Sequence, residues 1–352
     1  MATTIRTFAT RHARVAWMLA ALVGAGLVVT TAAQAQTTFS GRAFAAFVDT
    51  ALTGPIHVSD TGALPPNGGS RDDALLDTRD LHLTTLDSVL TAEVLAASTS
   101  GGSGKAESSA SLANVVVLPG NPAQVTASFV RAETQATCTG VRGRSEIADL
   151  TFGGTAITVT GEPNQTVTLP GVATLIINEQ TTAVDGSSRQ ISVNALHLIV
   201  PGVGEVILSS AESDITCQGT ATEGPCHDFV TGGGWIAATG SRANFGFNAG
   251  TKPGAIVPDV HLNYIDHGAD MKVKATGITS YHQGPTPTSR HFEGPAEVNG
   301  TPGFTYSVDV ADNGEPGHGM DTFAITVSGG GRVYQAGDSL GGGNIQLHKP
   351  CP

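Results

Sequence analysis

The chain has 352 residues, a length that suits two ordinary domains. Glycine is abundant, at 45 residues, whereas charged residues make up only 14% of the chain and aromatic residues 5%. A net charge of −12 does not attract phosphate backbones, and the composition argues against a coiled coil, a helical repeat or a basic membrane-surface helix. Nucleic acid is therefore not an expected partner.

The first 35 residues have the three parts of a secretory signal. Arg11 and Arg14 precede an apolar run, Val15–Val29, and small residues follow as far as Ala35. The run is shorter than the roughly 20 apolar residues that a membrane-spanning helix needs. We expect cleavage after Ala35 and export to the extracellular space, with the periplasm as the alternative. No second apolar stretch of spanning length follows, so we expect no membrane span in the mature chain.

Residues 36–217 predict a first β domain. Gly, Pro and Asn turns separate its strand-like runs, which alternate between apolar and polar residues or are continuously apolar. A short helix is expected within Asp72–Leu86. The predicted strands are Phe39–Leu52, Val89–Ala97, Ala106–Leu118, Gln124–Cys138, Ile147–Val159, Thr166–Leu169, Thr174–Thr182 and Gln190–Val200.

One cysteine ends a strand with strict alternation. In Val130–Cys138 the even positions are apolar or small, and Cys138 continues that face. The odd positions include Arg131, Glu133 and Gln135, which form the polar face. The pattern predicts a half-buried strand with its cysteine directed into the core.

A second stretch ends in the same way, which predicts the disulfide pairing. Ile207–Cys217 alternates as well, and its Thr-Cys-x-Gly ending resembles the ending around Cys138. Export favours disulfides, and four cysteines allow three pairings. We predict a Cys138–Cys217 bridge, with the two strands parallel or on facing sheets with their ends aligned. Cys226 then pairs with Cys351.

A second β domain follows a polar linker. We place the linker at residues 218–225 and the second domain at residues 226–352, where period-two alternation is denser. Both domains are expected to be antiparallel and sandwich-like, so the predicted fold class is all-β. The alternating apolar positions are Val260, Leu262 and Tyr264; Met271, Val273 and Ala275; Phe304, Tyr306, Val308 and Val310; Phe323, Ile325 and Val327; and Ile345 and Leu347.

Several sequence blocks resemble one family of secreted bacterial proteins. In the second domain they are Phe229–Ile236 (FVTGGGWI), Ala243–Ala249 (ANFGFNA), Gly294–Gly300, Tyr306–Val308, Asp321–Ile325 and Gly342–Leu347. In the first domain they are Pro163–Thr166, Ile177–Gln180, Val193–His197 and the two cysteine-ending strands. On these blocks the chain resembles the choice-of-anchor P proteins, followed by the domain that typically comes after that region.

The resemblance implies a secreted or surface protein with no known reaction, and it transfers no catalytic residue. Proteins of this family are named for varied C-terminal sorting anchors. The present sequence contains no sortase-type motif and no hydrophobic tail, so we expect free secretion.

A loop in the second domain is a candidate calcium site. Carboxylate and amide oxygens on a flexible loop rich in Gly and Pro suit Ca²⁺, although their spacing does not match an EF-hand. The alternative is a solvated turn in which these side chains cap their own backbone. No other cofactor is expected. The candidate ligands are Asp309, Asp312, Asn313, Glu315 and Asp321.

Two further residues are candidates for chemistry. Trp235 follows three glycines. An exposed tryptophan at such a position can stack on a sugar ring, but tryptophan is more commonly buried in the core. Ser339 lies in a G-x-S-x-G string, but two glycines follow it instead of the helix that a nucleophile elbow needs. A glycine-rich hairpin loop is the preferred interpretation of that string.

Histidines are concentrated after Cys226. None of them are spaced i, i+2 on a strand or i, i+4 on a helix, so a zinc site would need distant loops to converge. We therefore expect scattered surface side chains. The seven histidines are His227, His261, His267, His282, His291, His318 and His348.

The sequence thus favours a secreted, non-enzymatic protein with a structural, binding or adhesive role. An extracellular polysaccharide or another surface protein is the candidate partner. The first alternative is a carbohydrate- or Ca²⁺-binding module in the second domain, and the second is a serine hydrolase that uses Ser339.

Overall fold

The computed structural model describes residues 36–218 and 227–348, and over these ranges the all-β prediction is confirmed. All strand pairs are antiparallel. The described helical segments are a 3-10 turn, Thr78–Leu81, and one α-helical turn, α1 (Thr84–Asp87). The described residues contain no helix long and apolar enough to cross a membrane. We call residues 36–218 the first module and residues 227–348 the second module.

The first module contains two sheets. One has the strand order β10-β11-β12-β13-β1-β2, and the other has the order β3-β4-β5-β6-β8-β9 with β7 paired to β6. The strands are β1 (Thr38–Thr50), β2 (Gly54–Asp60), β3 (Gly69–Asp77), β4 (Leu90–Gly102), β5 (Lys105–Val117), β6 (Val125–Thr137), β7 (Gly140–Ala148), β8 (Thr151–Phe152), β9 (Thr155–Ala156), β10 (Gln165–Leu169), β11 (Ala173–Asp185), β12 (Ser188–Val200) and β13 (Gly204–Thr216).

The two sheets of the first module face each other across a core of small aliphatic side chains, together with Phe152. β6 and β13 lie opposite one another in different sheets and run in the same direction. Ser209 Oγ donates to the Val130 carbonyl at 3.0 Å, and Ser213 contacts Thr134 at 2.8 Å between hydroxyl oxygens. Both contacts join residues that are 79 positions apart in sequence, so β6 and β13 run in the same direction with a constant register.

The Cys138–Cys217 disulfide is confirmed, and it closes the open end of this strand pair. The cysteines are again 79 positions apart, and their Cα atoms lie 5.7 Å from each other, a normal separation for a disulfide. Of the two arrangements that the sequence allowed, the structure has the facing sheets with their ends aligned.

Each sheet of the first module also contains a run of three consecutive hairpin-connected strands of equal length. β4, β5 and β6 have 13 residues each, and so do β11, β12 and β13. The first module is therefore built around two similar three-strand meanders, with β1 extending the second of them.

The second module is a single ten-stranded sheet. Its order is β22-β21-β20-β19-β17-β16-β15-β14-β23, with β18 paired to β19. The strands are β14 (Asp228–Ala238), β15 (Ser241–Thr251), β16 (Asp259–Asp266), β17 (Met271–Ala275), β18 (Ser280–Gln283), β19 (Ser289–Val298), β20 (Thr301–Ala311), β21 (Thr322–Gly329), β22 (Arg332–Ser339) and β23 (Gly342–His348).

This sheet curls around its own core. Phe245 on β15 and Phe323 on β21 are five strands apart in the sheet order, about 24 Å if the sheet were flat. Their rings stack with centroids 4.0 Å apart. The hydroxyl oxygens of Tyr264 and Tyr334, on strands that are also five apart, lie 2.6 Å from each other. One concave face therefore encloses the aromatic core of the module.

The short helix expected within Asp72–Leu86 is only partly present. The residues as far as Asp77 pair with β4 instead, because β3 extends that sheet. Asp77 then accepts a hydrogen bond from the Arg79 amide and caps the 3-10 turn, and His82, with a φ of 55°, ends it.

The long strand expected at Ile147–Val159 is interrupted. Asp149 has a φ of 54°, and Gly153 and Gly154 also have positive φ values. These left-handed residues turn the chain back on itself, so β7 ends at Ala148 and only the two-residue strands β8 and β9 follow.

The polar face of β6 is covered by the second module. Arg131 is only 3% exposed, and its Nη1 donates to the Asn344 carbonyl on β23 at 2.6 Å. The alternation of β6 is as predicted, but its polar face is buried at Arg131 and partly buried at Glu133 and Gln135. At Arg131 the modules therefore meet through polar groups, and the site described next lies beside this contact.

Candidate functional site

A cleft of about 640 Å³ opens where the two modules meet. This volume lies in the range of small-molecule binding sites, roughly 300–1,000 Å³. The first module contributes β4–β7, β11 and β12, and the second contributes β14, β23 and the loop after β20. The lining residues are Ser98, Ser100, Glu107, Ser108, Ser109, Glu133, Thr134, Gln135, Val141, Arg142, Gly143, Arg144, Gln180, Thr182, Ile191, Phe229, Thr231, Glu315, Gln346 and His348.

The floor of the cleft is formed by two rows of side chains across β4, β5, β6 and β7. Strand alternation places every second residue on this face, and the antiparallel register aligns them from strand to strand. One row is Ser100, Glu107, Gln135 and Arg142, and the other is Ser98, Ser109, Glu133 and Arg144.

The second module supplies the opposite wall from two paired strands. Phe229 on β14 pairs with His348 on β23, and their rings stack with centroids 4.1 Å apart. Thr231 pairs with Gln346 in the same way, and its hydroxyl contacts His348 Nε2 at 3.0 Å. This wall combines hydrogen-bonding groups with a small apolar surface.

Glu107 is held as a carboxylate deep in the cleft. His348 Nδ1, Lys105 Nζ and Gln135 Nε2 lie 3.1, 2.9 and 2.7 Å from its oxygens. Burial by itself would raise the pKa of Glu107, but His348, Lys105 and Gln135 outweigh burial and lower it to about 2. The ionised form is therefore strongly favoured at neutral pH.

Glu133 lies between two arginines. It pairs with Arg131 on its own strand and with Arg144 across the ladder, and Arg144 extends to Glu315 of the second module. Burial would raise the pKa of Glu133, but the two guanidinium charges lower it. Burial would likewise lower the pKa of Arg144, but Glu133 and Glu315 raise it. The charges of this group are thus matched within the protein.

Three histidines of the second module contact carboxylates of the first. His261 Nδ1 is 2.5 Å from Asp72, and His267 Nε2 is 2.9 Å from Glu93. His348 is the third, against Glu107. The sequence predicted scattered histidines, and three of the seven instead recur in one role along the contact between the modules.

The first of these pairs belongs to a cluster with the composition of a metal site. Ligand atoms of Asp72, Asp259 and His261 lie within 4.8 Å of one another. However, the ammonium of Lys252, a side chain only 3% exposed, forms an ion pair with Asp72. Burial would raise the pKa of Asp72, but His261 and Lys252 lower it to about 2. Lys252 already supplies the positive charge, so we assign an ion-pair cluster here.

The candidate calcium loop uses its central carboxylate to hold backbone. Asp321 is fully buried, and its oxygens accept from the amides of Asn313, Gly314 and Ile345 at 2.8, 3.3 and 2.8 Å. Burial raises the pKa of Asp321 despite these donors. The side chain therefore ties the loop to β23.

The other acidic residues of that loop point to different partners. Asp309 contacts His291 Nδ1 at 2.8 Å, and Asp312 accepts from a β23 amide at 2.9 Å. Glu315 pairs with Arg144 in the cleft. Within the described ranges, the acidic residues of the loop do not form a group of three neighbouring metal ligands.

Trp235 and Ser339 have local partners. The guanidinium of Arg242 lies over the indole, 4.1 Å from the ring centroid, and a Cβ at Gly341 would overlap the ring. Ser339 ends β22 in an exposed position, where its hydroxyl lies 3.3 Å from the Asp338 carboxylate. Neither residue lines the cleft.

Three sequence predictions fall outside the described residues. These are the signal peptide with cleavage after Ala35, the linker beyond residue 218 and the Cys226–Cys351 bridge, and all three remain predictions.

The sequence signal for the cleft was the polar face of the strand that ends at Cys138. Its residues Arg131, Glu133 and Gln135 were identified, but as a solvent-exposed face. The neighbouring serines on β4 and β5 carried no distinctive spacing, because serine is equally common on exposed strands.

Comparisons with known proteins do not identify the chain. No family model matches it, and no curated protein matches it. Among solved structures, a putative AttH from Nitrosomonas europaea aligns over 94% of this chain and 99% of its own, at 9% identity and a TM-score of 0.22. At that score the alignment carries no argument about fold or function.

Proposed function

We propose that the mature chain is an exported, non-enzymatic binding protein that takes a short saccharide in the cleft between its modules. The observation that carries the proposal is the lining of the cleft, in which ten of twenty residues are Ser, Thr or Gln. Hydroxyl and amide groups can both donate and accept hydrogen bonds, which suits a ligand that is itself rich in hydroxyls. Phe229, Val141 and Ile191 add apolar surface for the C–H faces of a sugar ring.

The charged residues of the cleft support binding over hydrolysis. Glycoside hydrolysis needs one carboxylic acid with a raised pKa to protonate the leaving group. Both Glu107 and Glu133 have lowered pKa values, so neither is poised to donate a proton. Ser339 lies outside the cleft, so it cannot act on a ligand bound there. A serine nucleophile also needs an activating base such as histidine, and the group 3.3 Å from the Ser339 hydroxyl is instead the carboxylate of Asp338. We therefore propose no reaction.

An extracellular location fits the rest of the molecule. The secretory signal in the sequence supports export, and the Cys138–Cys217 bridge is of a kind that persists in oxidising compartments. The resemblance to choice-of-anchor P proteins supports the same placement. An extracellular polysaccharide is the partner that this location and this cleft favour.

Blocking the cleft tests the proposal. The chain from Gln36 onward would be screened on a glycan array, and hits would be titrated by calorimetry. Thr182 lines the cleft on β11, whereas Thr181 precedes it on the opposite face of the same strand. We expect Thr182→Trp to abolish binding and Thr181→Trp to retain it.

Two results would contradict the proposal. One is the absence of any glycan bound by the intact chain, which would favour a purely structural role. The other is binding that survives Thr182→Trp, which would place the ligand elsewhere. Titration with Ca²⁺ in the same calorimeter tests the calcium alternative.

A further inference from the structure

One cation of the cleft has no partner within the protein. Three arginines of the described ranges have guanidinium groups with neither a hydrogen bond nor an ion pair: Arg71, Arg142 and Arg332. Of these three, only Arg142 lines the cleft. It lies on β7 at the exposed end of the row that includes Gln135 and Glu107.

The acids of the cleft are already matched. Glu107 contacts Lys105 and His348, and Glu133 contacts two arginines. Glu315 pairs with Arg144, the next cleft-lining arginine after Arg142 on β7. The pairing leaves Arg142 as the cleft cation whose charge no protein group compensates.

A free guanidinium beside hydroxyl and amide groups selects for an acid on the ligand. The planar fork of arginine presents parallel N–H groups that match the two oxygens of a carboxylate. We propose that the saccharide taken by the cleft carries a carboxylate, as a uronic acid does, and that Arg142 binds that carboxylate. This inference rests on the proposed function of the cleft.

The net negative charge of the chain means that an acidic sugar has to be recognised at short range. The chain as a whole carries −12, so its long-range field repels an anion, and selectivity has to come from a direct contact. The row that contains Arg142 places Gln135 beside it. The Nε2 group of Gln135 donates to Glu107, which leaves its amide oxygen to accept from a sugar hydroxyl next to the acid.

The test compares two probes of equal length, trigalacturonate and neutral trigalactose, by calorimetry. A charge-assisted contact at an exposed site corresponds to about a tenfold preference for the acidic sugar. We expect Arg142→Gln to remove that preference by lowering the affinity for trigalacturonate to the level of trigalactose. Arg142→Lys should keep part of the preference, since it retains the charge without the fork. Arg332→Gln, which removes an equally unpaired arginine outside the cleft, should change neither affinity.

The outcomes separate this inference from the proposed function. Equal affinities for both sugars in the intact chain, both lost in Thr182→Trp, would overturn the inference and keep the binding cleft. An acidic preference that survives Arg142→Gln would also overturn it. Binding of a sulfated trigalactose, but not of trigalacturonate, would overturn the carboxylate assignment. Binding of none of these sugars would overturn the uronic acid assignment, whereas the proposed function is decided separately by the glycan array.

Discussion

Removing the Cys138–Cys217 bridge should destabilise the protein by a magnitude set by the length of the loop that it closes. The cysteines are separated by 79 positions, for which the chain-entropy model gives about 4.5 kcal/mol at 25 °C. The proposed variant is Cys138→Ala with Cys217→Ala. Alanine suits the site because both sulfurs pack against an apolar cluster that includes Phe39 and Ile215.

The assay is urea unfolding followed by two probes. Far-ultraviolet circular dichroism reports on all strands, whereas fluorescence reports on Trp235, the single tryptophan after Ala35 and a residue of the second module. We expect the dichroism transition to move to lower urea. If the polar contact between the modules couples their unfolding, the Trp235 transition moves with it.

A matched variant controls for the loss of cysteines as such. Cys226→Ala with Cys351→Ala leaves the first-module bridge in place, and it should not move the onset of first-module unfolding to the same extent. A loss below about 1 kcal/mol in the Cys138/Cys217 variant would refute the loop-closure reasoning, because removal of a native disulfide typically costs about 2–5 kcal/mol.

Three further perturbations act on the contact between the modules and on the second module. Burial, His261 and Lys252 together set the pKa of Asp72 to about 2, below its unfolded value, so its stabilisation is complete above about pH 4 and lost as the pH falls towards 2. Asp72→Asn should therefore lower stability at pH 7 by about 2 kcal/mol and flatten the acid limb of a pH–stability curve, while Asp185→Asn, at an exposed hairpin, should leave that limb unchanged. Arg131→Leu leaves a buried carboxylate with one guanidinium partner fewer, and denaturant unfolding should show a loss of about 3–5 kcal/mol, whereas a loss below 1 kcal/mol would mean that the charge network is dispensable. Gly341→Ala drives a methyl group into the Trp235 ring and should cost about 1–3 kcal/mol, with altered tryptophan fluorescence; an unchanged spectrum and midpoint would contradict the packing described.

The disulfide and its geometry could be predicted because two local patterns coincide. Alternation placed Cys138 and Cys217 on inward faces, and the two strand endings resemble each other at an offset of 79 residues. The structure has the same offset in its contacts, from Ser209 with Val130 to Ser213 with Thr134. The offset of the sequence repeat is therefore the same as the offset between contacting residues of β6 and β13.

The cleft could not be predicted because a polar strand face has the same pattern whether water or another polar surface covers it. Arg131 and Glu133 were correctly placed opposite the core of the first module. What covers them is β23, whose Asn344 lies 213 positions away from Arg131 in sequence. The left-handed residue Asp149 was missed for a different reason, since its backbone conformation breaks a strand without any change in the hydrophobic pattern.

The division of the cleft walls between two modules has a thermodynamic consequence for the whole molecule. A ligand that contacts β6 and β23 at once binds only to chains in which both modules are folded and joined. By mass action, a concentration one hundred times its dissociation constant adds about 2.7 kcal/mol to the unfolding free energy. Occupancy of the proposed site would therefore stabilise the contact between the modules, and the chain would resist separation of its modules more strongly in a ligand-rich medium than in dilute solution.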